Sequence, residues 1–137
     1  MINYGFYKEL NCSFSEAAEL ILPLISKHNF SIVTQIDLKE KFSEKLGITY
    51  PQYTILGLCN PKLAHKAISV EPDAGLFLPC NMVVYEKGDR VAVGIMKPSQ
   101  MMDMIENEKI GAVISEVEDH LKQLFAEIEL THSQSEL

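Results

Sequence analysis

With 137 residues, 47% hydrophobic and 23% charged, the chain has the length and balance of one compact soluble domain, residues 1–137. A net charge of −7 without any run of Lys or Arg repels a phosphate backbone and excludes a general nucleic-acid binder. Three cysteines make no disulfide scaffold, and no apolar run reaches the ~18 residues of a membrane span or has signal-peptide flanks, so a cytoplasmic, non-membrane protein is expected.

Residues 2–7 alternate aromatic side chains, with Tyr4 and Phe6 on one side, and predict a first strand. Ser13 and Glu16 have the spacing of a capping box, so a helix is predicted over residues 14–28 through Ala17, Ala18, Ile21, Leu24 and Ile25. Pro23 lies inside it and predicts a bend or an early end, and Asn29 suits the exit cap. Residues 30–36 are β-rich and predict a second strand with Phe30, Ile32 and Ile36 on one side. Asp37 caps a short helix over 39–45, which Gly47 closes. Tyr53–Cys59 is apolar on both faces, as a central strand should be.

Asn60 and Pro61 then turn the chain into a helix, Asn as cap and Pro at the first helical position, with Leu63, Ala64, Ala67 and Ile68 on its inner face. After a turn at residues 72–75, strands at 80–86 and 90–96 flank Lys87-Gly88-Asp89 as a hairpin. A long amphipathic helix at about 105–130 carries one apolar stripe: Ile110, Val113, Ile114, Val117, Leu121, Leu124, Phe125 and Ile128. Residues 131–137 are polar and predict a frayed end. The order β-α-β-α-β-α-β-β-α predicts an α+β fold: a single mixed sheet of about five strands with helices mainly on one face.

Two Cys-Asn pairs stand out, Cys59-Asn60 before Pro61 and Cys80-Asn81. The strings Tyr53-Thr-Ile-Leu-Gly-Leu-Cys-Asn-Pro-Lys-Leu-Ala64 and Leu76-Phe-Leu-Pro-Cys-Asn-Met-Val-Val-Tyr-Glu86 resemble the domain-of-unknown-function 302 family. Pro72, Gly75 and Thr34-Gln-Ile-Asp37 add to the likeness, which is strongest over about residues 14–98. The resemblance implies a compact α+β fold and a homodimer, and carries no biochemical role.

The residues themselves point to one place. A helix N-terminus offers unpaired amides and partial positive charge, which stabilise an anion or lower a thiol pKa. The expected site is therefore a small-molecule or anion-binding module at the Cys59-Asn60-Pro61 helix start, using Cys59, Asn60, the Leu63 amide, Cys80 and Asn81. Whether the two Cys-Asn pairs meet depends on topology. A right-handed crossover makes the strands at 53–59 and 80–86 parallel and holds the thiols roughly 20 Å apart, at ~3.3 Å per residue. A return of the chain through residues 72–78 brings them into one pocket.

Two rivals stand beside this reading. Cys59 is a candidate nucleophile for a thiol enzyme or redox protein, with Cys80 as a second thiol, but His65 is the only base near it in sequence. The C-terminal helix and the Met-rich stretch around Met96, Met101, Met102 and Met104 form the working surface in a structural or partner-binding protein. A homodimer could use that stretch, or a bare sheet face furnished by Tyr4, Tyr7 and Tyr85. No metal is expected: neither Cys59 to His65 nor Cys59 to Cys80 has zinc-site spacing, and His28 completes no set. No cofactor motif is present.

Overall fold

The structure, a computed structural model, describes residues 3–130, except for the side chains of residues 101–103. The elements follow the predicted order: β1 (Gly5–Leu10), α1 (Phe14–Lys27), β2 (Ser31–Asp37), α2 (Leu38–Leu46), β3 (Tyr53–Cys59), α3 (Pro61–Val70), β4 (Cys80–Lys87), β5 (Arg90–Met96) and α4 (Ile110–Glu127). Two 3-10 helices, Pro72–Phe77 and Pro98–Met104, fill the connections after α3 and β5. None of these helices is long and apolar enough to cross a membrane. The predicted tail at 131–137, like Ile2 of the predicted first strand, lies outside the described residues.

Local chemistry sets the helix ends. Ser13 Oγ accepts from the Glu16 amide at 3.1 Å while Glu16 Oε1 accepts from the Ser13 amide, the reciprocal pair predicted at the start of α1. Pro23 does not stop α1, which runs on to Lys27; the proline sits on the solvent side, where water can satisfy the carbonyl it leaves unpaired. Asn29 takes a left-handed φ of 66°, and the next residue's amide, that of Phe30, returns to the Ile25 carbonyl. Asp37 Oδ1 accepts from the Glu40 amide, and Gly47 closes α2 at φ 64°.

The five strands form one sheet in the order β1-β5-β4-β3-β2, and every neighbouring pair is antiparallel. The sheet is thus not the mixed one expected. Segment 61–79 folds α3 and the following 3-10 helix over one end of the sheet and returns to the end where β3 stops. Leu58 therefore lies opposite Cys80, and β4 runs back along β3.

One face of the sheet is the core. Leu56 and Leu58 of β3, Cys80, Met82 and Val84 of β4, Val91, Val93 and Ile95 of β5 and Leu10 of β1 are buried against Ala17, Ile21 and Ile25 of α1 and Leu121, Leu124 and Ile128 of the α4 stripe. The opposite face carries no helix in that cluster and shows Tyr7, Tyr53 and Tyr85, all half-buried. The rings of Tyr53 and Tyr85 stack at 4.9 Å, and Lys87 Nζ donates to both Tyr7 Oη and Glu9 Oε2.

β2 departs from the predicted phase. A bulge between Ile32 and Thr34 puts Ile32 opposite Leu58 and Ile36 opposite Ile55, so these two isoleucines point to different faces rather than to one. Phe30, just ahead of the strand, is the residue that enters the core.

Candidate functional site

The corner where β3 ends is built as its residues dictate. Asn60 is extended at φ −99°, ψ 105° and accepts the Leu63 amide on Oδ1 at 3.2 Å, while its carbonyl accepts the Ala64 amide. Pro61 begins α3, where an absent N–H leaves nothing unpaired. The same cap answers the anion expectation. The Leu63 amide is already taken, and the Leu63 side chain is buried, so the helix start offers fewer free donors than the sequence promised.

Because β3 and β4 are antiparallel, the two Cys-Asn pairs do lie at the same end of the sheet. Cys59 and Cys80 together line a cavity of about 30 Å³ with Phe30, Leu58, Leu63 and Val117. A second cavity of about 40 Å³ adjoins it and is walled by Phe77, Pro98, Ile105, Ile110 and Ile114, among others. Four residues, Ala67, Leu78, Cys80 and Val117, belong to both. Cys80 thus belongs, with these three, to the wall shared by two small apolar chambers.

Asn81 is not part of this site. Alternation along β4 sends it to the other face of the sheet, opposite Gly57, where it is exposed and lines a separate depression of about 170 Å³ with Tyr4, Val83 and Met96. The repeated Cys-Asn pair therefore brings the sulfurs together and parts the amides.

Electrostatics favour an uncharged site. Cys80 is 4% exposed, and burial, reinforced by the neighbouring Cys59 thiol, pushes its pKa up to about 11. It is a neutral thiol at physiological pH. Among the described residues, no histidine or carboxylate lines either chamber. His65 is exposed on α3, and His28 is paired with Glu127 of α4, whose other carboxylate oxygen holds Lys27 at 2.7 Å. A thiolate mechanism would need a base that the described lining of the chambers does not supply. All three cysteines are free, and no group of three His, Cys, Asp or Glu among the described residues is placed to hold a metal ion.

The acidic outer surface of α4, put forward as a partner surface, is largely engaged within the chain. Glu118 accepts the Ser99 amide at 2.8 Å, Glu116 faces Lys66 at 3.8 Å, and Glu127 ties α4 to the end of α1. In the Met-rich stretch Met96 is half-buried and Met104 exposed, while Met101 and Met102 are among the side chains left undescribed.

Comparison with known proteins bears on the fold and not on the ligand. The family described as "Domain of unknown function DUF302" matches residues 6–128. The chain belongs to the DUF302 family. The match extends past Pro98, up to which the likeness in the residues is strongest, and takes in α4. A solved structure, an uncharacterized conserved DUF302 protein from Bacillus stearothermophilus, is 22% identical and superposes with a TM-score of 0.84 over 93% of this chain and all of that one. No curated protein matches the chain.

Sequence reasoning missed the residues that α4 and the second 3-10 helix bring to the DUF302 chambers, namely Val117, Ile110, Ile114 and Pro98. Their periodicity signals an inner helix face, which is equally the signature of plain core. Ala67 was the available hint: a small residue midway along the inner face of α3, leaving space beneath it.

Proposed function

We propose that the protein is a binding module for a small, uncharged, apolar molecule held in the paired chambers on either side of Cys80. One observation carries this reading: two adjoining apolar cavities share Ala67, Leu78, Cys80 and Val117, with no ionised side chain among the described residues that line them. Volumes of about 40 and 30 Å³ suit a ligand of a few heavy atoms. Apolar cavities of this kind stay dry and take up apolar guests. Cys59, Asn60 and Leu63 form the rim nearest the helix start, and Cys80 presents a polarisable neutral sulfur to the guest.

Xenon is the simplest probe. Amide spectra of the labelled protein under xenon pressure should shift at Ala67, Leu78, Cys80 and Val117 and stay fixed on the far face, at Tyr7 and Tyr85. Val117→Phe should fill the space and abolish the shifts. A spectrum unmoved by xenon in the unaltered protein overturns the reading.

A further inference from the structure

A cleft of about 410 Å³ opens on the surface between the 3-10 helix Pro72–Phe77 and residues 104–106 at the approach to α4. Ala74, Phe77 and Ile105 line both this cleft and the chamber of about 40 Å³, so the floor of one is the wall of the other. The two banks are tied together. Asn107 Nδ2 donates to the Val70 carbonyl at 2.8 Å and to Glu71 Oε1 at 3.2 Å. Ala74 is buried with Ile110 and Ile114 of α4 in a small core of their own, so the hollow is framed by packed structure.

Two side chains of its lining are out of place in water. Leu76 is 84% exposed and Met104 68%, the two highest values among the described large hydrophobic residues. One exposed apolar residue needs no explanation, but two in a single cleft, joined by the half-buried Phe77 and Ile105, make an apolar patch. The charges around it have one sign. Glu71 and Asp73 stand on one bank and Glu106 on the other, and no Lys, Arg or His is in the described lining. Residues 71–79 and 98–108 together hold five carboxylates, Glu71, Asp73, Asp103, Glu106 and Glu108, and no basic residue, against −7 for the whole chain. Unlike Glu116 and Glu127 of α4, the three carboxylates of the cleft make no ion pair among the described residues.

We infer that this cleft docks a basic, apolar peptide segment of a partner protein, with Leu76, Phe77, Met104 and Ile105 receiving its apolar side chains and Glu71, Asp73 and Glu106 its Lys or Arg groups. Charge complementarity selects this occupant. Nucleic acid and anionic lipid surfaces are repelled by a rim of carboxylates. A second copy of the chain has no run of Lys or Arg with which to meet that rim. Apolar contact supplies affinity, while carboxylates on both banks discriminate against neutral and acidic segments. The docking site is independent of any guest in the chambers, since it lies on the outer side of their wall.

The probe is a short fluorescent peptide of Leu and Lys, titrated with the full chain and followed by anisotropy. The unaltered protein should bind it, and peptides with Glu in place of Lys or Ser in place of Leu should bind roughly tenfold less tightly or not at all. Glu71→Gln, Asp73→Asn and Glu106→Gln together should weaken binding about tenfold, whereas the charge-matched control Glu19→Gln, Glu40→Gln and Glu44→Gln should leave it unchanged. An unaltered protein that does not bind, equal binding of the Ser peptide, or an effect that is absent in the cleft variant or equal in the control overturns the inference. Should the cleft variant unfold, amide shifts of the unaltered protein decide. Shifts on adding peptide at Ala74, Leu76, Phe77 and Ile105 support the site. Shifts confined elsewhere, or shifts there that grow with protein concentration alone, as a second copy would produce, refute it.

Discussion

Gly57, in β3 between β2 and β4, has no room for a side chain: a Cβ there would run into Thr34 Oγ1 and lie 2.6 Å from Pro79 Cγ. Thr34 flanks it from β2 and the Pro79 ring from the approach to β4, so a Cβ at this position needs both to shift. Gly57→Ala should cost about 1–3 kcal/mol or more, seen as a lower urea midpoint with the slope preserved. Cys80 makes a different prediction. Its thiol pKa is raised by burial from 9.0 to about 11, so between those values the unfolded chain releases the proton and the folded chain keeps it. The contribution is fully present below pH 9 and is lost as the pH rises through 11. At ~1.4 kcal/mol per unit, the unaltered protein should lose about 3 kcal/mol more than Cys80→Ala across that window, read by urea unfolding at each pH. Equal slopes for the two would mean that the sulfur is not in an apolar wall. By the same burial, iodoacetamide should label Cys59 well before Cys80.

Among the elements, α3 and α4 decide the shape of the chambers. Asn60→Ala removes the side-chain cap at the start of α3 and should cost about 1 kcal/mol, whereas Asn60→Asp keeps an acceptor for the Leu63 amide and should lose much less. Thermal melts of the two variants separate the cap from any other role of the amide. At the far end of α4, Lys8 of β1 reaches across the core face, donating to the carbonyls of Phe125 at 2.8 Å and Ile128 at 2.6 Å with its ammonium 4.2 Å from the Phe125 ring centre. Its burial holds the Lys8 pKa below the usual lysine range. These bonds satisfy carbonyls that a helix end otherwise leaves open. Lys8→Met keeps the stem and removes the donor, so amides in the last turn of α4 should exchange faster while those near Ile110 do not.

Across the whole molecule, what could be read from the residues was whatever short-range chemistry decides. The capping box at Ser13 and Glu16, the Asp37 and Gly47 ends of α2, the Asn60-Pro61 start of α3 and the bounds of β3 all rest on neighbours a few positions apart. The strand directions were not legible, because segment 61–79 can either cross over or return and both keep the same apolar pattern. Nor was the phase of β2, since a bulge adds one residue without any fixed residue type to announce it. The shared chamber of Cys59 and Cys80, and the separation of Asn81 from it, follow from those directions and so stayed open in the sequence. The closure between Lys8 and Phe125 also has a bearing on synthesis. β1 pairs with β5 and is held as well by the last turn of α4, so this strand stays without a strand partner until β5 has left the ribosome. Nascent chains stalled before β5 is out should accordingly remain open to protease along residues 5–10, and released chains should not.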